Sequence, residues 1–169
     1  MMLVAGTDTT RHQLGCILHA FATHPDQWAL LRAQPELVAA AVEEGIRFEP
    51  AVDVIPRFAM HDIDVDGVTL TAGSLVTLLS VSANQDESVL DQALDFDIGR
   101  ALPEGWRMLT FGGGIHFCLG ANLARLELQE ALALLSARLP NLRLDGVPVR
   151  RTALAVGGWS SLPLRWDGR

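Results

Sequence analysis

Apolar residues recur every three or four positions over the first third of the chain, as one face of an α-helix requires. In the stretch from Leu3 to Thr23 these positions are Leu14, Ile17, Leu18 and Phe21. The sequence His24-Pro25-Asp26 then interrupts the pattern and starts a second, shorter helix that ends at Arg32. A third helix is predicted after Pro35, which suits the first helical position, and it ends at Pro50.

The pattern changes to β type after the third helix. Four segments are rich in strand-forming residues: Val54–Met60, Ile63–Val65, Val68–Leu70 and Leu75–Val81. Asp66-Gly67, between the second and third segments, is typical of a hairpin turn. Residues 82–109 carry no periodic pattern and predict a long irregular connection.

Leucine dominates the segment from Ala121 to Arg138, which predicts a strongly apolar helix that is buried on most sides. Short strands are predicted after it: Asn141–Leu144, Val149–Val156 and Leu162–Trp166. We find no internal repeat and no linker. The sequence therefore predicts a single unit over 1–169 of mainly α class with small β-sheets, an α+β arrangement.

Composition and charge narrow the class of function. The 169 residues carry a net charge of −7, and all 13 basic residues are arginine, which argues against a nucleic-acid partner. No run reaches membrane-spanning length without a charge, and the first residues lack the basic start of a signal peptide. Only Cys16 and Cys118 are present, too few for a disulfide framework. These features predict a cytoplasmic protein without a membrane partner.

One glycine-rich stretch concentrates the chemistry of the chain. It reads Phe111-Gly112-Gly113-Gly114-Ile115-His116-Phe117-Cys118-Leu119-Gly120. Glycines let a backbone approach a flat ligand closely. Cys118 lies just before the predicted last helix, where backbone N–H groups and the helix dipole favour a thiolate. A lone thiolate suits an axial metal ligand, and a buried structural thiol is the alternative.

This stretch resembles the haem-binding loop F-G-x-G-x-H-x-C-x-G of the cytochrome P-450 family. The fixed positions of that pattern are Phe111, Gly112, Gly114, His116, Cys118 and Gly120. The resemblance implies haem b as the cofactor, these six residues as its binding loop, and Cys118 as the iron ligand. A thiolate in that position favours cleavage of the O–O bond.

A second motif lies at the start of the chain, Ala5-Gly6-Thr7-Asp8-Thr9-Thr10. Glycine and hydroxyl side chains weaken a helix, so we expect a local widening there. The stretch resembles the family's oxygen-binding motif A-G-x-[D/E]-T. The resemblance implies that Gly6 makes room at the cofactor and that Asp8 and Thr9 are catalytic, because they relay protons to dioxygen. A capped helix start is the alternative.

Glu44 and Arg47 form an E-x-x-R pair on one helix face, which by itself contributes only about 0.2–0.5 kcal/mol. In the family this motif belongs to a buried cluster, and the resemblance implies a structural triad of Glu44, Arg47 and Arg100. Such a cluster is stable only when its charges are mutually paired. Its implied role is to fix the coil beneath the haem.

Further site residues are implied by the resemblance alone. Arg57 is similar to the family arginine that pairs with a haem propionate, which its planar fork suits, and His116 is similar to a second propionate contact. An outward-facing strand residue is the alternative for Arg57. The implied substrate-pocket candidates are Val52, Val54, Ile55 and Trp159. Plain core positions are the alternative for these four.

The resemblance runs along the whole chain but covers only the C-terminal, haem-binding part of the family's fold, without its N-terminal helices. It implies a fragment of a bacterial-type haem-thiolate monooxygenase, an oxidoreductase. In the complete enzyme, O2 and electrons from NAD(P)H, passed on by a ferredoxin or flavoprotein reductase, would hydroxylate a small, apolar organic substrate. Two alternatives stay open: a truncated, non-catalytic haem-binding or remnant module, and a plain interaction domain that takes up no haem.

Overall fold

A computed structural model describes residues 2–151 and 156–168. Its helices are α1 (Met2–Thr23), α2 (Pro25–Ala33), α3 (Val38–Phe48), α4 (Ser80–Asn84) and α5 (Ala121–Arg138), with 3₁₀ turns at Pro35–Leu37 and Gly114–His116. Its strands are β1 (Val54–Phe58), β2 (Ile63–Val65), β3 (Val68–Leu70), β4 (Leu75–Leu79), β5 (Arg143–Leu144), β6 (Val149–Arg150), β7 (Trp159–Ser161) and β8 (Leu164–Arg165). The mainly helical architecture with small sheets confirms the predicted class.

The strands of the described residues form small antiparallel sheets. β1 pairs with β4, β2 with β3, β5 with β8 and β6 with β7. The predicted hairpin turn between β2 and β3 is confirmed, since Asp66 and Gly67 have φ of 51° and 81°, as a turn with two left-handed residues requires. No helix among the described residues has the length and apolar character needed to span a membrane.

The core lies where α1, α3 and α5 pack together, with α2 beside them. Phe21 of α1 meets Trp28 and Phe96 edge to face, with ring centroids 5.0 and 5.1 Å apart. Gly45 lets α3 approach α1 closely, because a Cβ there would lie only 2.6 Å from Ile17 Cγ1. A contact this close excludes any larger residue unless Ile17 moves.

The predicted widening of the first helix is wrong. α1 is a regular α-helix across residues 6–10. The Thr10 hydroxyl donates to the Gly6 carbonyl at 3.1 Å. It shares this carbonyl with the helix instead of displacing the backbone, which is a common arrangement for threonine within a helix.

The last long helix begins and ends where predicted, but its predicted burial on most sides is wrong. The buried residues of α5 are Ala121, Leu128, Leu132 and Ser136. Leu123, Leu126 and Leu134 are largely exposed. α5 packs on α1, α2 and α3 through one face, and these three leucines lie outside that face.

The predicted strand Leu75–Val81 is too long, because β4 ends at Leu79 and residues 80–84 turn into α4. The Ser80 hydroxyl donates to the Val52 carbonyl at 3.1 Å, at the point where the strand gives way to the helix. Residues 85–109 are turns and bends, as predicted.

The predicted C-terminal strands are also shorter in the structure. Asn141–Leu144 shrinks to β5 and Leu162–Trp166 to β8, while the sequence did not predict β7. Val149–Val156 begins as β6, and residues 152–155 of that prediction lie outside the described residues. Two-residue pairings of this kind carry too little alternation for a sequence pattern to bound them.

Candidate functional site

The cysteine loop is closed by its own backbone. The Cys118 N–H donates to the Phe111 carbonyl at 2.9 Å, and the Ala121 N–H donates to the Cys118 carbonyl at 3.3 Å, where α5 begins. Gly112 and Gly114 have φ of 72° and 62°, a conformation that glycine adopts without a steric penalty. The Cys118 side chain is exposed, so a ligand outside the loop can reach its sulfur.

The two cysteines lie in opposite environments. Cys16 is fully buried in α1, and burial raises the pKa of its thiol to about 12, so it stays protonated. Cys118 is exposed at the start of α5, where Gly120 occupies the position before the first helical residue. Of the two, Cys118 is therefore the one placed to act as a thiolate ligand.

A cleft of about 510 Å³ lies between β1 and the cysteine loop. The side chains that line it include Ile55, Arg57, Phe111 and His116. An adjoining cleft shares Ile55 and Arg57 and adds the apolar side chains of Leu78 and Leu79. The combined surface is apolar, with an arginine and a histidine on its wall.

Arg57 lies directly over the loop. A Cβ on Gly112 would lie 3.9 Å from Arg57 Nη2 and 3.6 Å from the His116 carbonyl oxygen. The Nη1 end of the same guanidinium donates to the Pro56 carbonyl at 2.8 Å. The structure therefore brings Arg57, Gly112, His116 and Phe111 together at one cleft.

Phe111 is held from outside the loop by a pair that sequence reasoning missed. The Arg125 guanidinium lies 4.4 Å from the centre of the Phe111 ring. Its Nε and Nη2 donate to the Glu43 carboxylate at 2.5 and 3.1 Å. Glu43 and Arg125 lie far apart in the chain, on α3 and α5, so no local spacing signals their contact.

The structure also brings Glu44, Arg47 and Arg100 together. Arg47 donates to the Glu44 carboxylate through Nε at 2.7 Å and Nη2 at 2.8 Å, and Arg100 Nε donates to it at 3.3 Å. Arg47 also donates to the carbonyls of Ala93 and Asp95 at 2.6 and 2.8 Å. The cluster thus fastens the irregular segment to α3.

Asp8 lies in a charged cluster on α1. Its carboxylate accepts from Arg11 Nη2 at 2.7 Å and from Arg151 Nη1 at 3.1 Å, and His12 Nε2 lies 3.5 Å away. The hydrogen bonds from Arg151 and Arg11 hold the pKa of Asp8 below its usual value. Burial, with Arg151 nearby, lowers the pKa of His12. Thr9 is half-buried on the same helix, and Gly6 is exposed.

The four pocket candidates separate in the structure. Ile55 lines both clefts, and Val54 pairs with Leu79 in the adjoining sheet. The Val52 carbonyl accepts the Ser80 hydroxyl. Trp159 lies in a different group, with Glu49 and His19.

Trp159 packs on a buried carboxylate. Its Nε1 donates to Glu49 Oε1 at 2.9 Å, and its ring centre lies 4.1 Å from that of His19. His19 Nδ1 lies 2.7 Å from the other Glu49 oxygen, and Arg150 Nη1 donates to Glu49 at 3.2 Å. The tryptophan is thus fastened to α1 and to the end of α3, and the structure does not group it with Ile55.

Comparisons of this chain with known proteins agree on one family. The family model described as cytochrome P-450 matches residues 31–139. Luteothin monooxygenase from Streptomyces thioluteus is 44% identical over 168 residues, which are 98% of this chain and 40% of that protein. Nocardicin C N-oxygenase from Nocardia uniformis subsp. tsuyamanensis is 42% identical over 171 residues, covering 98% of this chain and 42% of that protein.

Solved structures agree with the sequence relatives. The cytochrome P-450 CYP109Q5 from Chondromyces apiculatus superposes with a TM-score of 0.92 at 38% identity, covering 99% of this chain and 43% of that one. CalO2 superposes with a TM-score of 0.91 at 34% identity, covering 98% and 42%. The chain spans about 40% of the length of the first curated relative it matches.

Proposed function

Since this chain belongs to the cytochrome P-450 family, we propose that residues 1–169 form the haem-thiolate part, a single partial domain, of a monooxygenase. The observation that carries the proposal is the cleft between β1 and the cysteine loop, with the exposed Cys118 at the start of α5. An exposed sulfur beside an apolar cleft with an arginine and a histidine on its wall suits a flat, apolar ligand that carries a metal and carboxylates.

The described residues fit haem b. Gly112 lines the cleft in a left-handed conformation, so the loop presents backbone without a side chain at that position. Ile55 and Phe111 offer apolar contact to a porphyrin face, and Arg57 and His116 offer donors to its propionates. When bound, haem iron supplies the activation of dioxygen and the transfer of an oxygen atom to the substrate.

Cys118 would hold the iron through its sulfur, and hydrogen bonds fix the Cys118 backbone on both sides. The backbone hydrogen bond to Phe111 closes the loop on one side, and α5 begins on the other. Arg125, paired with Glu43, holds the Phe111 ring. These contacts fix the backbone of the loop before any ligand binds, which lowers the cost of binding.

Asp8 and Thr9 are the proposed proton-delivery pair. Asp8 is held as a carboxylate by Arg11 and Arg151, and its lowered pKa keeps it ionised. A carboxylate in this state accepts a proton from solvent only when it leaves one of its arginines. We propose that Asp8 takes up a proton from solvent as it leaves Arg151 and passes it to the Thr9 hydroxyl, which donates its own proton on the ligand side.

The proposed substrate is a small, apolar organic molecule, because the adjoining cleft presents Leu78, Leu79 and Ile55. The proposed electron source is NAD(P)H, acting through a ferredoxin or flavoprotein reductase in the cytoplasm. A membrane or a nucleic acid is not among the proposed partners.

Haem titration of the chain tests the proposal. Wild-type protein should take up haem and, when reduced under carbon monoxide, show the absorption band that thiolate ligation shifts. Cys118→Ala should abolish that band, while Cys16→Ala, the matched control, should keep it. A thiolate band that persists in Cys118→Ala contradicts the assignment.

A non-catalytic haem-binding or remnant module is the second candidate. Oxygen-dependent NAD(P)H consumption and product analysis with added reductase separate the two. Haem uptake without product supports the module, and product formation supports the monooxygenase.

A further inference from the structure

Gln13 is a buried polar side chain on α1 that no motif points to. Its Oε1 accepts the Ala51 N–H at 2.8 Å. Its Nε2 donates to the Glu49 carbonyl at 3.0 Å and to the Gly45 carbonyl at 3.4 Å. One amide thus satisfies three backbone groups of another segment, which a buried polar group must do to be stable.

Two of these bonds go to the connection between α3 and β1, residues 49–53, and the third goes to Gly45 in the last turns of α3. The Gly45 carbonyl already accepts the Glu49 N–H at 3.1 Å as the helix ends, so capping α3 does not depend on Gln13. The two shorter bonds reach Glu49 and Ala51, beyond the helix. Gln13 therefore holds the path that the chain takes after α3.

That path leads directly into the wall of the cleft. β1 starts at Val54 and carries Ile55 and Arg57, which face the cysteine loop. The connection is held on its other side by Gly157 N–H, which donates to the Ala51 carbonyl at 2.7 Å. Gln13 supplies the bonds from α1 to the backbone of the connection, while His19 of α1 meets the Glu49 side chain.

Gln13 also lies four residues after Thr9 on α1, a spacing that places both on the same helix face. We propose that Gln13 is a positioning residue of the cleft: it ties the helix that carries Asp8 and Thr9 to the strand that carries Ile55 and Arg57. The functional half of this inference rests on the haem site proposed above. The structural half does not.

The test uses the whole chain with Gln13→Met, which keeps the length of the side chain and removes all three bonds. Gln27→Met is the matched control, because the Gln27 Oε1 accepts the Ile98 N–H at 3.0 Å, far along the chain from β1. Two quantities are measured: hydrogen exchange of residues 51–58 in the absence of haem, and the Kd for haem from the Soret band.

In Q13M we expect the Ala51 amide to exchange at least about fivefold faster, because it loses its acceptor. Exchange should rise along β1 too, and the haem Kd should increase about three- to tenfold, since β1 is less well placed. Q27M should change exchange at Ile98 and leave both quantities at the cleft unchanged. Q13E, which keeps an acceptor for Ala51 but loses the donors when ionised, should lie between wild type and Q13M.

Equal hydrogen exchange of residues 51–58 in Q13M and Q27M would contradict the proposal that Gln13 holds the connection to β1. Faster exchange with an unchanged haem Kd overturns the positioning role and leaves a structural one. If Q13M does not fold, the same comparison is made between Q13E and Q27E. If wild type takes up no haem, the proposed haem-binding function is wrong, and the exchange data still test whether Gln13 links α1 to β1.

Discussion

Two regions differ in how deeply they are buried: the triad of Glu44, Arg47 and Arg100, and the cysteine loop, residues 111–120. Glu44 and Arg47 are 5% and 1% exposed, and their charged atoms are paired with each other, with Arg100 and with backbone carbonyls. In the cysteine loop, Ile115 and Leu119 are 97% and 92% exposed. Both regions belong to the same proposed site.

This difference in burial indicates that the triad mainly stabilises the fold, while the exposed part of the loop mainly binds a ligand. A buried charged cluster that is fully paired makes folding depend on each member. An exposed loop with apolar residues and a thiol contributes little to folding, and surfaces of that kind are characteristic of binding faces. We therefore expect substitutions at the triad to unfold the chain and substitutions at exposed loop residues such as Ile115, Cys118 and Leu119 to change ligand binding alone.

The largest effect is expected at the triad. Glu44→Ala leaves Arg47 buried without its carboxylate and should lower the free energy of unfolding by about 3–5 kcal/mol. Urea denaturation followed by circular dichroism measures it. Asp145→Ala, which breaks the exposed pair with Arg165, is the control and should cost less than about 1 kcal/mol. Equal losses of unfolding free energy in E44A and D145A would contradict the expectation that the buried triad stabilises the fold more than an exposed ion pair does.

The next effect tests the packing of α1 on α3. Gly45→Ala places a Cβ 2.6 Å from Ile17 Cγ1, and overpacking of this kind costs about 1–3 kcal/mol. Gly15→Ala adds the same methyl group in α1 where nothing lies within 4 Å. It should be neutral or stabilising, because alanine favours a helix by up to about 1 kcal/mol over glycine. A destabilised G15A with a neutral G45A would show that the helices pack differently.

A smaller effect is expected from Asp8, a member of the proposed proton-delivery pair, and it depends on pH. Because hydrogen bonds from Arg151 and Arg11 lower its pKa from 3.8, the unfolded chain binds more protons there than the folded one. Its contribution to stability is therefore present above pH 3.8 and is lost as the pH falls through the folded pKa. Denaturation curves of wild type and Asp8→Asn from pH 5 to pH 2 measure it.

Asp8→Asn should flatten that part of the pH profile, and Arg151→Met should flatten it in part, because Arg151 is the largest cause of the shift. If neither variant changes the slope, Asp8 is not held by Arg151 in solution.

The smallest effect on stability is expected at the residue with the largest proposed effect on binding. Cys118→Ala should change the free energy of unfolding by less than about 0.5 kcal/mol, since its side chain is exposed. Thermal unfolding of the haem-free chain checks this. A loss of more than 1–2 kcal/mol, well above that range, would mean that the thiol packs in the fold and that the loop is not a free binding face.

Local patterns predicted much of this molecule. The bounds of α1 and α5, the Asp66-Gly67 turn and the glycine-rich loop around Cys118 follow from residues that are close in sequence. Backbone preferences and helical periodicity act over one or two turns, so a reader of the sequence can apply them directly.

The contacts that place the site were decided by packing between distant segments. Glu43 meets Arg125, and Gln13 meets Ala51, across separations that no spacing rule covers. The predicted burial of α5 was wrong for the same reason. The apolar character of its leucines can be read from the sequence, but their burial depends on which helices pack beside α5, and several of them are exposed. Side-chain chemistry is encoded residue by residue, while burial and pairing arise only when the folded chain closes on itself.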